Sequence, residues 1–511
     1  MISQIMSVGL IGMTAYTVEI EVDISKGMPA FEIVGLPDAA IKESRDRVRS
    51  AIKNCGYEFP TAKITVNLAP ADVRKAGPVY DLPILVGILK ATGQIKINSD
   101  NSVFFGELAL SGGVRSVNGA LPMTIHAHEN GFKNVFAPKA NAVEAGVVRG
   151  IDVFAIEHIN ELISFLTGLT PLCPQVTDIS VTANEVFDPD FSEVKGQQAA
   201  RRALEIAASG GHNALLIGPP GSGKSMLAKR IPSILPEMTF EEAIETTKIH
   251  SIAGLLTQNN PLVTTRPFRS PHHTVSPAGL SGGGSMPKPG EISLAHNGVL
   301  FLDELPEFSR PAMEILRQPI EDGKVTISRV NGTLTYPCSV MLIAAMNPCP
   351  CGYFGHPTRP CICGPQKVSR YLSKVSGPLL DRLDLHIDAM PVQFEHISSN
   401  KPSESSAEIK KRVNAARAIQ NERYLNTGVT CNARLTPALI ASSCHVSESA
   451  TKLLRNAFDK LGLSARAYDR ILKVARTIAD LEASEIIDSA HISEAIQYRS
   501  LDRKYWLNEK Q

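Results

Sequence analysis

Residues 213–232 read NALLIGPPGSGKSMLAKRIP, and the octapeptide GPPGSGKS at their centre limits the fold more than any other stretch of the chain. An apolar run, ALLI, leads into glycines 218, 221 and 223, and the amphipathic stretch SMLAKRI leads out. Glycines so placed let backbone N–H groups turn inward around phosphate oxygens, and a helix N-terminus behind them adds its dipole. The pattern predicts a strand, a phosphate loop and a helix. Gly218, Pro219, Pro220, Gly221, Ser222, Gly223, Lys224, Ser225 and Met226 form the expected ATP-binding set. Within it, Lys224 is expected to reach the β- and γ-phosphates, and the Ser225 hydroxyl to hold Mg²⁺.

Two later apolar runs carry polar residues at their ends. NGVLFLDEL reads as a strand ending in Asp303 and Glu304, where an aspartate is placed to complete the Mg²⁺ ligands and the glutamate to polarise a water. The bland alternative is a solvated strand end, but the phosphate loop upstream favours chemistry. SVMLIAAMN ends at Asn347, suited to hydrogen-bond a γ-phosphate or the lytic water, or simply to open a turn before Pro348. Glu304, Lys224 and Asn347 are thus the first catalytic candidates.

The rest of the chain bounds the setting. Its 511 residues suggest roughly three domains. A net charge of +1 excludes a global basic footprint, so any nucleic-acid surface must be local. The start alternates like a strand and lacks the basic region of a signal peptide, and no run suits a membrane span; a cytoplasmic protein with no membrane partner is expected. Nine cysteines, an odd count without a secretory signal, fit a reducing compartment. Residues 1–168 mix strand and helix patterns, 169–190 read as a turn-rich linker, 191–395 alternate strand and helix as parallel sheets do, and 396–511 follow helical periodicity after a polar connector. The expected class is a multidomain α/β protein.

The three strand ends together resemble the AAA+ ATPase core, in which Asn347 is the first sensor. SGPLLDRLDLHIDA places Arg382 where the Mg-chelatase and replicative-helicase branch carries its arginine finger. LGLSARAYDRILK resembles the lid helix bearing the second sensor, Arg466, with Arg470 the competitor one turn later. A fork-shaped cation suits both places because it neutralises charge developing on the γ-phosphate, and a finger acting in trans implies a hexameric ring. Between the two acidic and glycine motifs lies a long Gly/Pro/Ser-rich insertion, and VTISRVNGTLTYP reads as a hairpin around Asn331-Gly332. Inserted hairpins there resemble pore elements, making Arg269, Lys324 and Arg329 candidates for DNA phosphates, with solvated turn cations the equal alternative.

VNLAPADVRKAGPVYDLPI and GELALSGGVRSVNGALPMTIHAHENG resemble the Lon-protease fold. Val79 stands at the Ser position and Pro122 at the position expected for the Lys, so the dyad is missing and proteolysis is excluded. The whole pattern, with PHHT and NPCPCG, resembles the YifB/ComM family of Mg-chelatase-related AAA+ ATPases. That resemblance implies a Lon-protease-like α+β amino-terminal domain, an AAA+ P-loop α/β core with inserted hairpins and a helical C-terminal lid. It further implies a hexameric ATPase acting on single-stranded, forked or junction DNA, a branch-migration helicase in natural transformation. A chelatase motor subunit driving metal insertion and an ATP-gated scaffold are the rival classes.

Residues 349–363 hold Cys349, Cys351, Cys361 and Cys363 as two Cys-x-Cys pairs. Folded back, they are candidates for a tetrahedral Zn²⁺ site, with His356 a substitute ligand. Reduced structural thiols and a redox pair stay open beside it.

Overall fold

Continuous apolar runs in an α/β chain are expected to become strands buried on both faces, and three of them do. Ala214–Ile217, Val299–Leu302 and Met341–Met346 are buried at every position. In the computed structural model, which describes residues 1–177, 189–257, 259–284, 287–329, 332–391, 403–461, 463–499 and 505–506, they join Phe268–Arg269 and Leu385–Asp388 in a five-stranded sheet. Every pairing in that sheet is parallel. Its order, by position in the chain, is second, third, fourth, first, fifth. Ala214–Ile217 therefore stands where the winding reverses, the place at which open parallel sheets form a ligand crevice.

The chain separates into two compact units. The one containing this sheet takes the described residues within Ala183–Thr239, Thr265–Thr333 and Pro337–Gln511. The carboxyl-terminal helices Ser406–Arg423, Glu448–Leu461, Ala465–Leu481 and Ser489–Gln497 belong to it. They do not build a separate core: Ile471, Val474 and Ile478 share one buried cluster with Ala203, Leu204 and Ala207 of the helix Gln198–Gly210. Lys324–Arg329 and Gly332–Pro337 form the expected two-stranded sheet, with Ser328 and Thr333 hydroxyls 3.1 Å apart. Asn331 of its turn lies outside the described residues, as do 178–188 of the expected linker and 392–402, which include the expected boundary at 395.

The other unit takes the described residues within Met1–Thr182, Phe240–Thr264 and Leu334–Tyr336. Its seven-stranded sheet is mixed: Ile2–Ile11 pairs antiparallel with Thr14–Ser25, which pairs antiparallel with Lys63–Ala69, whereas Ser102–Phe104, Asn134–Pro138 and Asp152–Ile156 run parallel. The period-two pattern of Val18, Ile20 and Val22 is why the second strand buries one face. Gln175 N–H donates to Val153 O at 2.7 Å and the Thr177 hydroxyl to Val143 O at 2.6 Å, so the stretch read as linker from 169 is docked as far as Thr177. The helix Phe240–Ala253, expected within the 191–395 segment, groups with this unit instead. Ser251 is the reason: its carbonyl accepts from Gly119 N–H at 3.2 Å, and its hydroxyl donates to the Glu144 carboxylate. Burial raises that carboxyl above its ordinary range, and the Ser251, Leu121 and Asn141 hydrogen bonds oppose the rise. Val79 sits half-buried on the turn Pro78–Tyr80 and Pro122 is buried in the helix Ala120–Glu129. Neither offers a nucleophile or base.

A buried polar knot fastens the carboxyl-terminal helices to the parallel sheet. Asp384, just before the strand Leu385–Asp388, meets His212 Nδ1 at 3.3 Å and Arg470 Nη1 at 3.2 Å, while His212 Nε2 reaches the Thr477 hydroxyl at 2.7 Å. Burial alone would raise the Asp384 carboxyl, but the His212 hydrogen bond and the charges of Arg470 and Lys473 outweigh it and hold it at about 2. A carboxyl depressed from 3.8 contributes stability that is complete above its unfolded value and is lost as pH falls through the folded one. The contribution is about 2 kcal/mol. Asp384→Asn is expected to cost about 3–5 kcal/mol at pH 7, because the Arg470 cation stays buried unpaired. It should also flatten the loss of stability below about pH 4, where this carboxyl stops contributing. Urea titrations of both proteins at a series of pH values read both effects.

Candidate nucleotide site

The register of the parallel sheet assembles the site. Ile217 pairs with Met346, so Gly218 and Asn347 leave neighbouring strands abreast, and Leu302 pairs with Ala344, which brings Asp303 to the same edge. Gly221 and Gly223 take φ of +77° and +84°, the left-handed region that lets the loop turn its amides inward. A Cβ on Gly221 would meet nothing within 4 Å, so the loop tip opens onto free space. Lys224 begins the helix Lys224–Arg230, and its Nζ donates to Gly218 O at 2.8 Å, Pro219 O at 2.9 Å and Asn347 Oδ1 at 3.2 Å. Burial lowers the lysine, with Asp303 opposing the shift. The Ser225 hydroxyl donates to Asp303 Oδ2 at 2.6 Å.

These residues fit a triphosphate and its cation. Ser222 Oγ is buried in the loop with no hydrogen-bond partner among the described residues, an unspent polar group beside the expected phosphates. Ser225 and Asp303 supply hard oxygens at one point, which suits Mg²⁺. Glu304 has φ of +52°, an uncommon conformation for a residue with a side chain, and its carboxylate is 59% exposed. The turn delivers that carboxylate into a cavity of about 480 Å³ lined also by Glu307, Asn347, Pro350, Lys367, Arg370, Tyr371 and Lys374.

Several participants escape sequence reasoning. His273 of the PHHT stretch has Nδ1 3.5 Å from Glu304 Oε2. The Gln197 amide donates to Ser222 O at 2.9 Å, bracing the loop from outside. Lys367, Arg370 and Tyr371 reach the cavity from the helix Pro365–Leu372.

The remaining expected residues lie elsewhere. Arg382 is not free: Nη2 meets Glu321 at 2.7 Å, Nη1 donates to Pro378 O at 2.6 Å and Nε to Arg317 O at 3.2 Å. It lines a different cavity, together with Asp384 and Arg470. Arg470 is engaged by Asp384, whereas Arg466 is exposed on the first turn of the helix Ala465–Leu481. Arg269 lies on the edge strand, held by both Glu291 oxygens at 2.7 Å. Lys324 and Arg329 are exposed at the two ends of one hairpin strand.

Gly352 sits against the phosphate loop. A Cβ there would come 2.3 Å from Pro220 Cδ, and φ is +83°. Gly352→Ala is therefore expected to cost about 1–3 kcal/mol and to displace Pro220, lowering affinity for a fluorescent ATP analogue roughly tenfold. Melting and nucleotide titration of the variant check the two effects.

Strand ends of this kind define a class, the P-loop proteins with an AAA+-like ATPase core. Residues 190–397 match the family described as magnesium chelatase, subunit ChlI; residues 20–141 match subunit ChlI of Mg-chelatase, and 403–499 its C-terminal region. The chain is 46% identical to the YifB protein of Escherichia coli over 498 residues, covering 96% of each. It is 44% identical to competence protein ComM of Haemophilus influenzae over 500 residues, again 96% of each. A shorter match, 29% over 131 residues, links 24% of the chain to 15% of the Lon protease of Mesomycoplasma hyopneumoniae. The chain belongs to the YifB/ComM family of Mg-chelatase-related proteins. No helix among the described residues is long and apolar enough to cross a membrane.

Proposed function

We propose that this protein is an AAA+ ATPase that assembles as a hexameric ring and moves branched DNA, a branch-migration helicase of recombination and natural transformation. The observation that carries the ATPase reading is the convergence of Lys224, the Ser225–Asp303 pair and Asn347 at one sheet edge, with Glu304 beside them. Lys224, which the loop carbonyls and Asn347 already orient, leans on the β- and γ-phosphates. Ser225 and Asp303 hold Mg²⁺, which when bound draws charge off the phosphate oxygens. Glu304 accepts a proton from the attacking water, and His273 and Asn347 fix the carboxylate and the water in line. Arg382 of one subunit, released from Glu321, completes the site of the next, and Arg466 acts as the second sensor. The amino-terminal unit, a Lon-type fold without its dyad, serves as a platform.

The DNA reading is supported by the 44% likeness to a competence protein and by the exposed Lys324 and Arg329 on one hairpin. Arg269 is the weaker candidate, since Glu291 already occupies its fork. A chelatase motor would share this ATPase core. The discriminating experiment measures ATP turnover with and without forked or four-way-junction DNA. Stimulation of tenfold or more is expected; a rate indifferent to every DNA form would overturn the DNA reading.

A further inference from the structure

Asn347, directly after the strand Met341–Met346, and the helix Pro365–Leu372 both contribute to the Glu304 cavity, yet the chain 347–364 contains neither helix nor strand. A loop of that length, rich in Gly and Pro, has little means of holding two such elements in register. Its one fully buried side chain in the cysteine stretch is Cys349.

The four cysteines converge inside this loop. Sγ of Cys349 lies 3.3 Å from Cys351 and 3.6 Å from Cys361, and Cys351 is 3.6 Å from Cys361. The sulfurs of all four, Cys363 included, fall within 4.8 Å of one another. Disulfide sulfurs stand at about 2.05 Å, so these are not bonded pairs. Four thiolates around a tetrahedral zinc at about 2.3 Å stand about 3.8 Å apart, the spacing approached here. Two backbone amides already point at sulfur: Phe354 N–H to Cys349 at 3.3 Å and Cys363 N–H to Cys361 at 3.4 Å. Such donors are what thiolate ligands need around them. His356 is not part of the set, because its Nδ1 accepts from the Thr358 and Arg359 amides at 3.1 and 3.0 Å.

We propose that Cys349, Cys351, Cys361 and Cys363 bind one Zn²⁺ as a tetrathiolate, and that this ion fixes the helix Pro365–Leu372 beside the strand end at Asn347. The ion is structural: four protein sulfurs fill its tetrahedron and leave no open position for chemistry. It joins the first pair, which starts two residues after Asn347, to the second, which ends two residues before Pro365. Arg370 and Lys367 thereby take their places on the cavity wall. The assignment stands on sulfur geometry and does not depend on the ATPase reading.

Elemental analysis of the full chain, purified without chelator, is expected to return one zinc per chain. Cobalt supplied in its place is expected to give the intense thiolate-to-metal absorption of a tetrahedral site. Less than about a tenth of an equivalent of zinc, together with no such absorption, would overturn the site. A Cys351→Ser, Cys361→Ser variant is expected to lose the metal; full retention would also overturn it. Should that variant fail to fold, titrating zinc release from the native protein with a mercurial reagent and a colorimetric chelator gives the same stoichiometry. For the second half of the proposal, hydrogen exchange is compared before and after removal of zinc. Protection is expected to fall across 365–372 and stay unchanged in 1–177; unaltered exchange across 365–372 would overturn the positioning role.

Discussion

Glu304→Gln is expected to lower ATP turnover by about 10²–10⁴ while nucleotide affinity changes less than about threefold. The asymmetry follows from where Glu304 stands. The groups expected to hold the nucleotide are the loop amides, Lys224 and the Ser225–Asp303 pair, and none of them depends on the Glu304 carboxylate. Glu304 instead enters the neighbouring cavity on a left-handed turn, 3.5 Å from His273. Glutamine fills the same space and can accept a hydrogen bond, but it cannot take the proton of the attacking water. Turnover and equilibrium binding measured on the same preparation separate these effects. Loss of binding in step with turnover would show that Glu304 holds the nucleotide rather than the water.

Arg382→Ala is expected to cost about 10³–10⁵ in turnover, the range seen when an arginine finger is removed. Within its own chain Arg382 is tied to Glu321, Pro378 O and Arg317 O and lies in a cavity that contains no residue of the phosphate loop. A large loss would therefore come from its action on another subunit's nucleotide. Mixing supplies the check. Arg382→Ala chains and Lys224→Ala chains, each inactive alone, should recover partial turnover when combined, because some interfaces then pair an intact loop with an intact finger. A loss below about threefold in Arg382→Ala alone would remove the finger.

The sequence makes some of this legible and hides the rest for identifiable reasons. The phosphate loop, its two acidic partners and Asn347 are readable because each rests on a local pattern, an apolar run with a polar end, and a parallel sheet brings such ends to one edge. The hairpin at 324–337 is readable for the same reason, its turn dipeptide being a local signal. What escapes is pairing between distant segments. His273 reaches Glu304 across 31 positions of an insertion with no periodicity. The helix Phe240–Ala253 follows the loop helix in sequence, yet Ser251 finds Glu144 107 residues upstream. Helical periodicity marks 465–481 correctly but cannot say that Ile471 and Ile478 share their core with Ala203. Nor can it separate Arg466, which is exposed, from Arg470, which Asp384 engages.

A four-way junction with one labelled arm, incubated with the protein, ATP and Mg²⁺, tests the central claim most directly. The account predicts that the wild-type protein converts the junction into two duplexes, that Glu304→Gln binds it without converting it, and that omission of ATP stops conversion. A junction left intact by an enzyme that is hydrolysing ATP would contradict the account.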